Sequence, residues 1–503
     1  MCGIAGIWGD EDKELVKTMM NKMVHRGPDA EGMYVSPIHD GVLGHRRLSI
    51  MDPTGGDQPI LNADKKRVIV ANGEIYNYPD LLPTLTTKYD FKTTSDSEAI
   101  LHLYQEHGTG VVKYLDGMYA FAISDEKNIL AARDPIGIKP LYYAESDGKF
   151  VFGSELKAIM HHSDDIHEFP PGTYYHSKQG FQSFYEVPKL PVEEHSVDYW
   201  LREIRETLEK SVTKRLMSDV PLGTFLSGGL DSSLISAIVR QHVDELHTFS
   251  VGFEGSPDLA AARLVSEHLG TIHHEYILTM EEIIAKLPEI IYYLESFDQD
   301  LVRSGIPCFF TSRLASEYVK VILTGEGADE LFAGYTYYKD IQCDEFLHEE
   351  LRRSVSALHN VNLQRVDRMT MAQSIEGRVP FLDLKMIELG LRIPSAYCLY
   401  GDPPIEKWIL RKACEDLLPE EIIWRKKEQF DEGSGAAENM DKALREIMTP
   451  AQAEQYAKEW PGTEFRSPEE CYYHQVLVHA YDNPAPILAN VGRWSDRPEE
   501  ETA

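Results

Sequence analysis

The chain has 503 residues, of which 43% are hydrophobic and 26% are charged, a composition typical of a soluble globular protein with two or three domains. Its 82 acidic residues outnumber the 50 basic ones, and the resulting net charge of −32 argues against nucleic acid as a partner. No apolar run approaches the ~18 residues that span a bilayer, and the acidic N-terminal region is unlike a signal peptide, so we expect a cytoplasmic protein with no membrane partner.

The first predicted element is a strand at residues 2–9, CGIAGIWG, where small and apolar residues alternate. The six cysteines include no C-x-x-C pair, which argues against a zinc site and a disulfide framework. Removal of Met1 would leave Cys2 with a thiol and a free α-amine, and an amine pKa of ~7.7–8.0 suits a base for that thiol. An inert packing cysteine is the alternative interpretation of this residue alone.

Three later stretches favour a nucleophilic Cys2: residues 25–29, HRGPD; 47–51, RLSIM; and 72–77, NGEIYN. A thiol that attacks an amide needs an oxyanion hole, which the Asn72 amide and the Gly73 N–H could form. Arg47 and Asp96 could bind the carboxylate and the ammonium of an amino acid. A substrate with a side-chain amide, a carboxylate and an ammonium group matches glutamine.

These stretches, with residues 133–141, RDPIGIKPL, and 153–157, GSELK, resemble the N-terminal-nucleophile glutamine amidotransferases. The resemblance implies a four-layer αββα sandwich over residues 1–185. It also implies that Cys2 is both nucleophile and base, with Asn72 and Gly73 as the oxyanion hole. The glutamine-binding residues that it implies are Arg47, Leu48, Ser49, Ile50, Met51, Asn72, Gly73, Glu74 and Asp96.

Residues 186–196 are rich in proline and charge, as expected for a linker, and a second domain is predicted over residues 197–494. It begins with an amphipathic helix, since Ser196 is a favourable N-cap. The apolar stripe of this helix consists of Leu201, Ile204, Leu208 and Val212.

A strand, a tight loop and a helix are predicted around residues 227–233, SGGLDSS. Two glycines let backbone N–H groups approach an anion, serines add donors, and the helix N-terminus faces the same point, so the loop suits a phosphate. Asp231 would repel a polyphosphate unless a divalent cation lay between them, which predicts Mg²⁺. The chain has no Walker loop, so γ-phosphoryl transfer by that device is not expected. A plain Gly-Ser turn is the alternative.

Residues 246–253 and 319–323 are predicted as further strands of a parallel sheet, whose carboxyl ends are the usual place for a ligand. The second strand leads into residues 324–330, TGEGADE, which could seat an adenosine phosphate and a metal, or form an acidic solvated loop. Local positive charge follows, and Arg378 or Lys427 could bind pyrophosphate unless they are merely solvated. The acidic tail, residues 495–503, is predicted to be disordered.

The motifs SGGLDSS, LTGEGADELFAGY, EGRVPFLD and RKKEQF, after an N-terminal glutaminase, resemble the glutamine-hydrolysing asparagine synthetases over nearly the whole chain. The resemblance implies an α/β second domain of the adenine-nucleotide α-hydrolase type. This domain would transfer the AMP part of ATP to aspartate, which gives β-aspartyl-AMP and pyrophosphate. Glu326 would serve adenylation, Lys427 would stabilise the transition state, and Asp231 and Asp329 would ligate Mg²⁺. The implied ATP-binding residues are Leu226, Ser227, Gly228, Gly229, Asp231, Ser232, Ser233, Val251, Thr324 and Gly325.

One stretch departs from the family pattern. Many members carry Thr-Thr-x-Arg-Ala-Ser-Thr around the arginine that would face the acceptor, whereas residues 300–306 here read DLVRSGI. Arg303 is retained as the predicted acceptor-binding residue, but its neighbours differ. An amidotransferase of the same mechanism with another carboxylate acceptor is therefore the alternative, and a catalytically idle nucleotide sensor is a second one. The expected partners are small-molecule substrates, with a homodimer as a further expectation.

Overall fold

The computed structural model describes residues 2–37, 40–341, 343–427 and 436–493, apart from the side chains of residues 436–439 and 441. The predicted disordered tail lies outside these ranges. The strands are β1 (Cys2–Trp8), β2 (Ala30–Val35), β3 (Gly41–Arg47), β4 (Ile60–Leu61), β5 (Val68–Ile75), β6 (Gly117–Ser124), β7 (Ile129–Arg133), β8 (Tyr142–Ser146), β9 (Lys149–Gly153), β10 (His167–Glu168), β11 (Thr173–His176), β12 (Gly180–Ser183), β13 (Leu222–Phe225), β14 (His247–Gly252), β15 (Ile272–Ile277), β16 (Val321–Leu323) and β17 (Glu376–Arg378).

Helices connect and cover these strands. They are α1 (Lys13–Lys22), α2 (Tyr78–Leu85), α3 (Asp96–His107), α4 (Leu156–Ile159), α5 (Val197–Lys214), α6 (Leu230–Arg240), α7 (Pro257–Leu269), α8 (Met280–Leu294), α9 (Gln299–Ala315), α10 (Ala328–Leu331), α11 (Asp344–Ala357), α12 (Asn362–Met371), α13 (Leu384–Gly390), α14 (Ser395–Cys398), α15 (Trp408–Ala413), α16 (Glu420–Ile423), α17 (Ala436–Ile447), α18 (Pro450–Glu459), α19 (Pro468–Ala480) and α20 (Ala485–Leu488). Among the described residues, no helix combines the length and the apolar character that a membrane crossing requires.

The N-terminal half contains two six-stranded antiparallel sheets. Their strand orders are β10-β8-β9-β1-β3-β2 and β12-β11-β7-β6-β5-β4. The predicted strand at residues 2–9 is confirmed as β1, which pairs with β3 so that Cys2 lies opposite Arg47. The second sheet contains β5, which carries the NGEI part of the NGEIYN motif. The strand that carries Cys2 and the strand that carries Asn72 thus lie on different sheets.

The two sheets share one apolar cluster, which includes Ile4 and Phe152 from the first sheet and Val70 and Ala120 from the second. Helices α1 and α4 pack with the first sheet through residues such as Met20, while α2 and α3 pack with the second. Because side chains alternate along a strand, each sheet buries one face against the other sheet and one against its helices.

The C-terminal half contains a five-stranded parallel sheet in the order β15-β14-β13-β16-β17. Both predicted strands of this sheet are confirmed, as β14 and β16. The predicted helix is α5, where the Ser196 side chain accepts a hydrogen bond from the Tyr199 N–H at 3.3 Å. Its buried face includes Ile204 and Leu208, whereas Leu201 is only partly buried and Trp200 takes the inner position. The parallel strands bring the ends of β13, β14 and β16 to one edge.

Candidate functional sites

Cys2 lies buried at the start of β1 beside the second sheet. Its nitrogen, which becomes the α-amine when Met1 is removed, lies 2.8 Å from Asn72 Oδ1, and its thiol points at the Leu48 carbonyl at 4.0 Å. Burial raises the pKa of the Cys2 thiol. The thiol therefore stays protonated at neutral pH, and a nucleophilic role requires an adjacent base.

The predicted oxyanion hole lies next to this thiol on β5. Asn72 is fully buried, and its Nδ2 is an amide donor that has no hydrogen-bond partner among the described residues. An unpaired buried donor is costly unless a ligand accepts from it. Gly73 is required here by space, because a Cβ would lie 2.1 Å from the Met118 carbonyl oxygen on β6.

Arg47 organises the loop that follows β3. Its guanidinium donates to Asp57 at 2.7 Å and to the Asp52 carbonyl at 2.6 Å. Ser49 N–H in turn donates to Asp29 of the HRGPD motif at 2.8 Å. These contacts fix the segment from Leu48 to Met51 against the Cys2 thiol. In this structure Arg47 already has oxygen partners, so a carboxylate ligand would join or replace them.

Two buried carboxylates, Glu74 and Asp96, lie on the same side of this site. Burial raises the pKa of Asp96 to about 6, although its carboxylate accepts from the Ile75 N–H at 2.6 Å. Burial, with Glu376 and Asp96 nearby, also raises the pKa of Glu74. One oxygen of Glu74 has no hydrogen-bond partner. An ammonium group bound here would favour the ionised form of both carboxylates, because an opposite charge offsets the effect of burial.

The phosphate loop connects β13 to α6. Ser227 Oγ and Ser232 Oγ are 3.0 Å apart, and the Gly229 N–H donates to Ser227 Oγ at 3.3 Å. Gly228 has a φ of +74° and lies so close to α7 that a Cβ would come within 2.6 Å of Ala261 Cβ. The hydroxyls of Ser227 and Ser232 therefore lie together beside the N-terminus of α6.

This loop opens onto a cavity of about 640 Å³ at the carboxyl edge of the parallel sheet. The cavity is large enough for a nucleotide and a small acid. The predicted residues that line it are Leu226, Ser227, Gly229, Asp231, Ser232, Val251, Thr324, Gly325, Glu326, Asp329 and Lys427. Gly228 and Ser233 belong to the loop but do not line the cavity, and Ser233 Oγ is buried without a partner.

The two predicted metal ligands meet at Lys407, which the sequence analysis missed. Lys407 Nζ lies 2.6 Å from Asp231 Oδ2 and 2.6 Å from Asp329 Oδ1, and Lys427 also binds Asp329. Burial opposes ionisation of Asp329, but Lys407 and Lys427 hold its pKa below its usual value. Lys407 lies directly before α15 and is part of no recognisable motif. The only signal in the sequence was its positive charge, which an anionic ligand would need.

The residues fit a magnesium ion. Asp231 lines the cavity, and its buried Oδ1 has no hydrogen-bond partner among the described residues, so a hard oxygen ligand remains for a cation. The described residues contain no cluster of three or more His, Cys, Asp or Glu side chains suited to a metal. Asp231 and Asp329 would therefore hold the ion together with phosphate oxygens and water, which is the usual pattern for Mg²⁺.

Arg365, like Lys407, was not predicted from the sequence. It lines the cavity and forms an ion pair with Glu326, the residue predicted to serve adenylation. Arg378, a candidate for pyrophosphate binding, is not brought to the cavity. It is fully buried, with its guanidinium 2.6 Å from Glu376 and 3.7 Å from Glu74, beside the glutamine-binding residues.

Arg303, the predicted acceptor-binding residue, is also not brought to the cavity. It forms a bidentate pair with Glu469 of α19, with N to O distances of 2.9 and 2.5 Å. The neighbouring Asp300 and Ser304 line the cavity instead. The departure from the family pattern at residues 300–306 therefore changes the wall of the cavity itself.

Comparisons with known proteins agree with this arrangement. A family model described as glutamine amidotransferase domain matches residues 1–195, and one described as asparagine synthase matches residues 203–346 and 340–480. Asparagine synthetase [glutamine-hydrolyzing] 2 of Oryza sativa subsp. japonica is 39% identical over 96% of this chain and 85% of its own length. Asparagine synthetase [glutamine-hydrolyzing] 3 of Arabidopsis thaliana is 39% identical over 96% of this chain and 87% of its own. This chain belongs to the family of glutamine-hydrolysing asparagine synthetases.

Proposed function

We propose that this chain converts aspartate, glutamine, ATP and water into asparagine, glutamate, AMP and pyrophosphate. The observation that carries the proposal is the pairing, in one chain, of Cys2 beside an unpaired Asn72 amide with a cavity lined by the SGGLDSS loop. The first group of residues suits amide cleavage, and the second suits release of pyrophosphate. Membership of the family identifies aspartate as the acceptor.

In the first reaction, the Cys2 thiol loses its proton to the α-amine and attacks the side-chain amide of glutamine. The Asn72 amide and the Gly73 N–H stabilise the oxyanion of the tetrahedral intermediate. The α-ammonium returns its proton to the leaving nitrogen, ammonia departs, and the resulting thioester is hydrolysed by water to glutamate and the free thiol. Glu74 and Asp96 receive the ammonium of glutamine, while Arg47 receives its carboxylate. The contacts of Arg47 with the loop after β3 also hold Ile50 and Met51 in place.

In the second reaction, the β-carboxylate of aspartate attacks the α-phosphorus of ATP, and pyrophosphate leaves toward the SGGLDSS loop. Asp231 and Asp329 would hold Mg²⁺, which would supply positive charge against the phosphate oxygens when bound. Lys407 and Lys427 supply further positive charge at the same place, and Glu326 is held toward the acceptor by Arg365. Ammonia then displaces AMP from the mixed anhydride, which is a far better electrophile than a carboxylate.

The two reactions need a sheltered path for ammonia, because ammonia that meets water becomes protonated and loses its lone pair. Leu48, beside the Cys2 thiol, belongs to the same buried apolar cluster as Met118, Ile136 and Leu226 at the phosphate loop. We place the path along this cluster.

The same proposal includes finer features of the architecture. The two sheets and their outer helices form a four-layer αββα sandwich over residues 1–185, and residues 186–196 link it to the synthetase domain at residues 197–494. We also propose that the protein is cytoplasmic and forms a homodimer. Light scattering on the purified protein tests the dimer.

Two substitutions test the division of labour. Cys2→Ala should abolish glutamine-dependent synthesis, at least 1,000-fold, and leave ammonia-dependent synthesis within about twofold, because only the thiol is lost. Glu326→Ala should stop both. Mass spectrometry of the products with aspartate, ATP and Mg²⁺ must show AMP and pyrophosphate. ADP and phosphate, or glutamine use by Cys2→Ala, would contradict the proposal.

A different carboxylate acceptor is the second candidate, and the placement of Arg303 favours it. With Arg303 held by Glu469, the cavity wall beside it carries Asp300 and Ser304 rather than a free cation. A screen of amino-acid and peptide acids, with release of pyrophosphate as the readout, separates the two candidates. Aspartate should exceed every other acid in kcat/KM.

A further inference from the structure

Helix α12 belongs to the synthetase half but contacts functional residues of both halves. Arg365, on its second turn, pairs with Glu326 in the adenylation cavity. Asp367, two residues later, pairs with Arg26 of the HRGPD motif in the glutaminase half. At the end of the helix, Ser374 Oγ donates to the His25 carbonyl at 2.7 Å. The two pairs are separated by about 3 Å of helix rise.

Arg26 connects Asp367 to the nucleophile. Its Nη1 and Nη2 donate to the two oxygens of Asp367 at 2.7 and 3.1 Å, and its Nε donates to the Cys2 carbonyl at 3.0 Å. The guanidinium is planar and rigid, so the two Asp367 contacts define the direction of the third donor. The position of Asp367 thus determines where the Cys2 main chain is held.

Burial makes this connection strict. The Arg26 side chain is 0% exposed and that of Asp367 is 3% exposed. A buried guanidinium must keep its acceptors, because its burial shields it from the solvent that could replace them. Glu155 supplies one further acceptor at 2.8 Å, but it is shared with Arg368 and Lys157. Within the described part of the chain, Asp367 alone binds Arg26 through both carboxylate oxygens.

We propose that Asp367 is a positioning residue for the Cys2 nucleophile, acting through Arg26, and that α12 transmits the state of the adenylation cavity to the glutaminase site through the pairs of Arg365 and Asp367. This inference rests on the proposed function. A substrate that changes the Glu326–Arg365 pair displaces Arg365. Because α12 is a rigid helix, Asp367 moves with Arg365, and Asp367 holds the Cys2 nucleophile through Arg26. Glutamine is then cleaved efficiently when the acceptor is ready to be amidated.

The test compares Asp367→Asn with a matched control, Glu295→Gln. Glu295 is an equally buried carboxylate that binds Arg368 at 2.9 Å and Lys157 at 3.2 Å, but it does not touch Arg26. Each substitution removes one negative charge from the same interface and leaves an amide facing an arginine. Only Asp367→Asn weakens the contacts that direct Arg26 to the Cys2 carbonyl.

Asp367→Asn should lower kcat for glutamine hydrolysis about tenfold and change KM for glutamine less than about twofold, because the glutamine contacts stay in place. Ammonia-dependent synthesis by the same preparation should stay within about twofold, which shows that the protein is folded. Glu295→Gln should keep kcat for hydrolysis within about threefold. In an Arg26→Lys background, Asp367→Asn should add little, since both changes break one connection.

Transmission is tested with a non-hydrolysable ATP analogue and aspartate. Together they should change glutamine hydrolysis severalfold in the unmodified chain and should not change it in Asp367→Asn. An unaltered kcat in Asp367→Asn, or an equal loss in Glu295→Gln, would refute the positioning role. An unchanged response in Asp367→Asn would refute the transmission. Absence of glutamine hydrolysis from the unmodified chain would instead refute the proposed function.

Discussion

Single side chains at the two sites are tuned by burial more than by any other influence. Burial raises the pKa values of Cys2, Glu74 and Asp96 on the glutaminase side. In the adenylation cavity it raises the pKa of Asp231, and Lys407 works against that rise. Groups with shifted pKa values in one pocket mark functional sites, since a structural role alone rarely justifies their cost.

The raised pKa of Asp96 predicts the pH dependence of glutamine binding. The carboxylate must be charged to hold an ammonium, and with a pKa of about 6 it becomes protonated as the pH falls below that value. We therefore expect KM for glutamine to increase below pH 6, by about tenfold per pH unit. Asp96→Asn should have a high KM that depends less on pH between 5 and 7 than that of the unmodified chain, with Glu74 as the remaining buried carboxylate whose pKa is raised.

Steady-state glutaminase assays across that pH range measure the effect. Asp80→Asn, which changes an exposed carboxylate on α2, is the matched control and should retain the pH dependence of the unmodified chain. A pH profile for Asp96→Asn that runs parallel to that of the unmodified chain would exclude Asp96 as its source.

Elements position these side chains through a few tight contacts between backbones. The strand pair β5 and β6 leaves no room for a side chain at Gly73, and the approach of α7 leaves none at Gly228. At Gly325, a Cβ would lie 2.8 Å from Asp231 Cβ, so the turn after β16 and the phosphate loop are in contact. Glycine is needed at each place because of what a neighbouring element occupies.

Gly228→Ala should distort the phosphate loop. Its φ of +74° is unfavourable for alanine, and the new Cβ would meet Ala261. We expect KM for ATP to rise at least tenfold, with a loss of about 1–3 kcal/mol in the free energy of unfolding. Gly255→Ala is the control, since Gly255 has a φ of +80° with open space around it. Gly255→Ala should lower the free energy of unfolding without changing KM for ATP. An equal rise in KM for ATP in both variants would show that the distortion of the phosphate loop is not its cause.

The whole molecule keeps its two reactions apart while joining them through a buried, charged interface. Arg26, Lys139 and Glu155 of one half meet Asp367 and Arg368 of the other with little or no exposure to solvent. Breaking such pairs costs about 3–5 kcal/mol each, so the halves are held in one arrangement.

Chelation of Mg²⁺ should separate the two reactions. The predicted ligands, Asp231 and Asp329, lie in the adenylation cavity, and Cys2 is not among the residues that line it. Excess EDTA should therefore stop asparagine formation with either nitrogen source and leave basal glutamine hydrolysis within about twofold. Assay of glutamate and asparagine in the same samples checks this, and equal inhibition of both would place a metal in the glutaminase reaction.

The local pattern of the chain determined the strands β1, β13, β14 and β16, the α5 helix with its Ser196 cap, both sets of motifs and the family. These depend on neighbouring residues, because periodicity, caps and glycine turns act over a few positions. Only the tertiary structure decided that Lys407 lies between Asp231 and Asp329, that Arg303 turns to Glu469, and that Asp367 holds Arg26. Those contacts join residues 78 to 341 positions apart. No local pattern encodes them, because they arise when separate elements pack and each buried charge must find a partner.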